Sequence, residues 1–83
     1  MQVTVRYFAS LREALGKQEQ IELPDATTLA ALRDALIASS PRHADALRRS
    51  RSLRCAVNHQ LAEESALLQA GAEVAFFPPV TGG

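Results

Sequence analysis

Residues 2–8, QVTVRYF, set the apolar Val3, Val5 and Tyr7 against the polar Gln2, Thr4 and Arg6 in strict alternation. A period of two belongs to a strand with one wet face and one covered face. The chain must therefore supply a cover for Val3, Val5 and Tyr7. The same parity returns in Leu53, Cys55 and Val57 and in Val74 and Phe76. Helical spacing of large apolar residues is carried by Leu29, Leu32 and Leu36, at i, i+3 and i+7, with Thr27 or Thr28 available as the cap. One main helix laid over one face of a mixed sheet satisfies both patterns, which predicts an α+β domain.

The connections can be read from turn and cap residues. Ser10-Leu11-Arg12-Glu13 fits a capping box, and Gly16 can close the short helix that follows. A second strand is expected over Gln18 to Leu23, ended by Pro24 and Asp25. Ser40-Pro41 reads as a cap with a first-turn proline, opening a short helix over residues 41–49. Leu53 to Val57 is a further strand, Asn58-His59 a tight turn, and Leu61 lies in or beside the next short strand. A helical turn near Ser65 to Leu68 and a break at Gly71 lead to a last strand, Glu73 to Phe77. Strand, strand, helix, strand, short strand, strand is the outline of a ubiquitin-like β-grasp. Residues 1–77 form that domain, and residues 78–83 leave it as an extended tail.

Eighty-three residues suffice for one small domain that buries roughly 60% of its unfolded surface. Nine basic and nine acidic residues cancel, so no overall field draws the protein to nucleic acid or an anionic membrane. The opening MQVTVRYFASLRE has no apolar run suited to a signal or a membrane span, and a cytoplasmic location is the default expectation. Cys55 is the single cysteine; its parity with Leu53 and Val57 marks it as a buried structural thiol. Arg42, His43, Arg48, Arg49, Arg51 and Arg54 form a basic stretch without interleaved aromatics. It reads as a solvated helix face that could share in docking, rather than a nucleic-acid site. His43 and His59 stand far apart without a ligand-spaced Cys or carboxylate cluster, so no metal is expected.

The outward parity of the strands is the informative exception. Phe8, Ala56, Ala75 and Phe77 fall on the side that should be wet. A contiguous apolar patch on the open face of a sheet suggests a partner surface. The chain then ends FFPPVTGG, where Pro78 and Pro79 stiffen the exit and Gly82-Gly83 can pass a channel too narrow for side chains. From Pro78 to Gly83 the reach is at most about 20 Å. The tip offers the α-carboxylate of Gly83, a poor acyl donor until activated, for example as an acyl-adenylate. A frayed Gly-Gly end is the plain alternative, which the Pro-Pro segment and the neighbouring phenylalanines weigh against.

Taken over essentially its whole length, the chain resembles the sulfur-carrier small subunits of molybdopterin synthase, on VRYFASLRE, the central AVN turn and GAEVAFFPPVTGG. The resemblance implies a β-grasp carrier whose Gly83 is adenylated by an ATP-dependent, ubiquitin-activating-like adenylyltransferase and converted to a thiocarboxylate by a sulfur donor. It further implies that Pro78, Pro79, Val80, Thr81 and Gly82 enter the large catalytic subunit, where sulfur passes to cyclic pyranopterin monophosphate. Phe8, Leu61 and Phe77 match the family's partner-binding positions, and two small and two large subunits are implied. No permanently bound cofactor is expected, since ATP belongs to the activating enzyme and catalysis to the large subunit. Relatives often carry Asn-Gly where this chain has Asn58-His59, which bears on the turn alone. Two other functions share the Gly-Gly ending: a carrier for another pathway, such as thiazole synthesis, and a ubiquitin-like protein modifier. A plain interaction domain is a third alternative.

Overall fold

The computed structural model describes residues 1–79. Its order is β1 (Gln2–Tyr7), α1 (Ser10–Leu15), β2 (Gln18–Glu22), α2 (Leu29–Ser39), α3 (Pro41–Ala46), β3 (Arg54–Val57), β4 (Gln60–Ala62) and β5 (Glu73–Phe77). The strands form one sheet in the order β2-β1-β5-β3-β4. β1 and β5 run parallel, with Val5 opposite Val74 and Tyr7 opposite Phe76. The other pairings are antiparallel. The first strand thus lies beside the last at the sheet's centre, the arrangement of a β-grasp.

The inward parity is as the alternation requires. Val3, Val5, Tyr7, Cys55, Val74 and Phe76 are buried against Leu29, Leu32 and Leu36 of α2, with Leu11 of α1 closing one side. Leu53 and Val57, expected on the same face, are only half-buried because they stand at the margins of the short β3. Burying a leucine or valine side chain contributes about 1.5–3 kcal/mol, so α2 is held chiefly by this contact. The Cys55 thiol is 6% exposed and donates to the Ala62 carbonyl at 3.5 Å. Burial raises its pKa, which keeps it protonated and inert.

Three local expectations are corrected. Ser10 is the first helical residue of α1 and not its cap; Ala9 takes that position at φ 53°, and no side chain caps the helix. The Ser10 hydroxyl instead accepts from Arg51 Nη2 at 2.5 Å. α3 stops at Ala46 instead of reaching residue 49, because Leu47 leaves helical geometry and the carbonyls of Leu47, Arg48 and Arg51 turn to Arg33. Residues 65–68 form no helical turn. Their backbone serves the start of α2: Leu29 N donates to Ala66 O and Ala30 N to Glu64 O, both at 2.9 Å, and Leu67 bridges Thr28. With Thr28 Oγ1 accepting from Ala31 N at 3.1 Å, the first amides of α2 find partners.

The basic stretch is largely occupied within the fold. Arg49 pairs with Asp34 at 2.8 Å and with Glu64, and Arg48 lies 3.7 Å from Asp45. The Arg49 hydrogen bond leads the causes that hold the Glu64 carboxyl below its usual range. Arg49 thereby fastens its loop to Ala30 and Asp34 of α2, while Arg48 pairs back onto α3, so the expected solvated helix face is partly tied to the fold. Among the described residues, no helix is long and apolar enough to cross a membrane.

Candidate functional site

The face of the sheet opposite α2 carries a trough of about 420 Å³ lined by Arg6, Phe8, Ala56, His59, Glu73, Ala75 and Phe77. Its floor follows from strand register. Arg6 lies opposite Ala75, Ala75 opposite Ala56, and Ala56 opposite Leu61, one row across four strands. Two alanines at the centre of that row leave a depression where larger side chains would make a flat sheet. Phe8 and Phe77 wall the end from which the chain leaves, where Phe8 N donates to Phe76 O at 3.3 Å. Phe8 is 39% exposed and Leu61 68%. Phe77, expected to be outward, is half-buried.

The other end of the trough is polar. His59 Nε2 lies 3.1 Å and Arg6 Nη1 3.8 Å from the same oxygen, Glu73 Oε2. The Arg6 guanidinium carbon sits 5.6 Å from the centroid of the Phe8 ring, within cation–π range. Arg6 Nε is buried and has no hydrogen-bond partner among the described residues. The rim is fixed by the β3–β4 turn, where Asn58 and His59 both adopt positive φ, 50° and 70°. This is the primed two-residue hairpin turn, made here without glycine. Asn58 holds it by donating N–H to Glu73 O at 2.8 Å and accepting Glu73 N–H on Oδ1 at 3.0 Å.

Of the residues singled out from sequence, the structure brings Phe8 and Phe77 together at the trough and sets Leu61 on the same face, one position beyond Ala56. Pro78 is half-buried and Pro79 exposed, continuing β5 off the sheet. Val80, Thr81, Gly82 and Gly83 lie outside the described residues. Sequence reading missed His59, Glu73 and Arg6 as one cluster. Outward parity marked Arg6 and Glu73, but their meeting depends on the parallel β1–β5 pairing. Among the described residues, no group of three or more His, Cys, Asp or Glu side chains could hold a metal ion.

A five-stranded sheet with parallel central strands, one main helix behind it and an apolar trough in front defines a ubiquitin-like β-grasp protein with a docking-type face. Within that class the chain belongs to the ThiS family, whose model matches residues 5–83. It is 43% identical over 81 residues to the molybdopterin synthase sulfur carrier subunit of Escherichia coli K12, covering 98% of this chain and 99% of that one. Its fold is similar to SAMP1 from Haloferax volcanii, with a TM-score of 0.80 and 27% identity over the full length of both chains. It is also similar to a chain in the complex of subunits 1 and 2 of the molybdopterin-converting factor from Helicobacter pylori, with a TM-score of 0.69 and 25% identity, again over all of both chains.

Proposed function

We propose that this protein is a sulfur carrier that works as the small subunit of a molybdopterin synthase. The observation that carries the reading is the apolar trough at the end of the sheet from which Pro78 and Pro79 lead toward Gly82-Gly83. The full-length similarity to the E. coli sulfur carrier subunit and to the H. pylori two-subunit complex supports it.

The chemistry belongs to the Gly83 carboxylate. A carboxylate oxygen attacks the α-phosphorus of ATP in an adenylyltransferase, and pyrophosphate leaves. A sulfur nucleophile then attacks the acyl carbon, expelling AMP and leaving a thiocarboxylate. In the large subunit that sulfur passes to cyclic pyranopterin monophosphate, and the carrier leaves with an ordinary carboxylate. The body's part is to dock and aim. Phe8, Leu61 and Phe77 supply apolar contact. Pro78, Pro79, Val80, Thr81 and Gly82 span the distance to the partner's active site.

Intact mass after incubation with ATP, the adenylyltransferase and a sulfur source tests the reading. One oxygen replaced by one sulfur, confined to the C-terminal peptide, is expected. Deleting Gly82-Gly83 abolishes the change and leaves the fold intact; a truncated protein that still accepts sulfur would overturn the reading. Phe8→Ala weakens assembly with the large subunit by about 2 kcal/mol, roughly 30-fold in Kd. The similarity to SAMP1, a small archaeal modifier protein, favours protein modification as the second reading. It requires Gly83 isopeptides on target lysines, seen as larger bands in cell extract.

A further inference from the structure

The outer strands of the sheet are β4, three residues long, and β2, which offers five, Gln18–Glu22. Which backbone groups β2 turns outward follows from its pairing with β1. The Met1 ammonium donates to Leu23 O at 2.6 Å and Leu23 N to Met1 O at 2.7 Å, while Tyr7 N donates to Lys17 O at 3.1 Å. Directly opposed residues alternate between bonded and non-bonded pairs along an antiparallel ladder. Val3–Ile21 and Val5–Glu19 are therefore the bonded pairs, and Gln18, Gln20 and Glu22 turn their N–H and C=O away from β1. All three residues are exposed, and among the described residues no strand lies beyond them.

Such an edge is ordinarily guarded by a proline, a bulge or charged side chains. β2 contains no proline, and its register with β1 runs unbroken from Gln18 to Glu22. Glu19 does not guard the edge, since its carboxylate is turned to the helix side, where it accepts from Tyr7 Oη and meets His43 Nε2, both at 2.7 Å. The two ends of the strand differ in sign. Lys17, exposed, precedes β2. Glu22 and Asp25 stand at the far end, where the Met1 ammonium, 3.6 and 3.8 Å from them, offsets one of the two charges.

We propose that the β2 edge binds a second copy of this chain, antiparallel, with a two-fold axis through Gln20. Gln18 of each copy then faces Glu22 of the other and Gln20 faces Gln20, each pair exchanging both backbone bonds. Lys17 of one copy comes beside Asp25 of the other, and the contact repeats at the second end. The register is selected by overlap and charge. Sliding by two residues leaves only Gln18 to Gln20 or Gln20 to Glu22 paired, and in the first case sets Glu19 against Glu19, like charges opposed. The axis stands perpendicular to the sheet, so both troughs open on one face. They lie over β1, β5 and β3, clear of the junction. Pairing along about 17 Å of strand is a small contact, whereas stable complexes bury roughly 1,200–2,000 Å², so the dimer is reversible and forms at high protein concentration. Nothing in it depends on the chemistry of the C-terminus.

Sedimentation equilibrium of the full chain from micromolar to millimolar concentration tests the proposal. Reversible monomer–dimer exchange is expected, with amide exchange at Gln18, Gln20 and Glu22 slowing as the dimer fills. Gln20→Lys sets two ammonium groups together on the axis and abolishes the dimer; at an exposed position it leaves the melting of the monomer unchanged. Lys17→Glu weakens the dimer about tenfold, and Lys17→Glu with Asp25→Lys restores it. Phe8→Ala, which alters the trough alone, leaves it intact. A chain that stays monomeric at millimolar concentration, a dimer that survives Gln20→Lys, or one lost in Phe8→Ala would each overturn the proposal.

Discussion

Arg33 is the residue whose role is most out of keeping with its type. It is 3% exposed and lies on the apolar stripe of α2 beside Leu29, Leu32 and Leu36. Its guanidinium donates to the carbonyls of Leu47 at 2.8 Å, Arg48 at 2.7 Å and Arg51 at 3.0 Å, and meets Glu64 at 3.1 Å. Truncation leaves three buried or part-buried carbonyls without their donor, so Arg33→Ala is expected to cost about 3 kcal/mol by urea denaturation. Arg33→Lys recovers only part of that, because an ammonium cannot reach the same fork of acceptors. His59 is the opposite case, an exposed residue kept in left-handed backbone at φ 70°. His59→Gly removes that strain while adding unfolded-chain entropy, and a net gain of up to about 1 kcal/mol is expected, measured as a shift in Tm.

At the scale of elements, α3 is joined to the sheet by a chain of polar contacts through its core-facing side. Tyr7 Oη donates to Glu19 Oε2 at 2.7 Å, His43 Nε2 meets the same oxygen at 2.7 Å, and His43 Nδ1 faces the Ser40 hydroxyl at 2.7 Å. The Tyr7 and His43 rings meet edge-on at 6.4 Å. Burial, then the bond to Glu19, pushes the Tyr7 hydroxyl far above its ordinary 10.0. A raised folded value gives stability that is complete below the unfolded pKa and is lost as pH climbs above it. The alkaline limb of stability should therefore begin near the ordinary tyrosine value, with tyrosinate absorbance appearing together with unfolding. Tyr7→Phe flattens that limb and costs about 1 kcal/mol at neutral pH; ionisation of Tyr7 in folded protein at its ordinary value would refute this.

The same elements show what local pattern could disclose. Strand faces were legible because parity survives any tertiary context: Val3, Val5, Tyr7, Val74 and Phe76 had only one way to point. The helix ends were not, because they answer to distant partners. Ser10 has the form of a cap, yet its hydroxyl is taken by Arg51, 41 residues away. Residues 65–68 were drawn out of helix by the unpaired amides at the start of α2. In the trough, Phe8 and Phe77 were visible as apolar residues on a wet face. The polar rim was not, since Arg6 and Glu73 meet only through a pairing between the two ends of the chain.

Across the whole molecule, that pairing has a mechanical consequence. β5 is the central strand, bonded on one side to β1 and on the other to β3, and it runs directly into Pro78. A force applied through the tail acts along the β5 axis, while the ladder bonds lie crosswise to it or slant across it. Such a load is shared by both ladders at once, as in shear, instead of opening them one bond at a time. The strand that carries the tail is thus the one least able to be peeled from the body, and a tail gripped at its tip can be withdrawn without unravelling the sheet behind it.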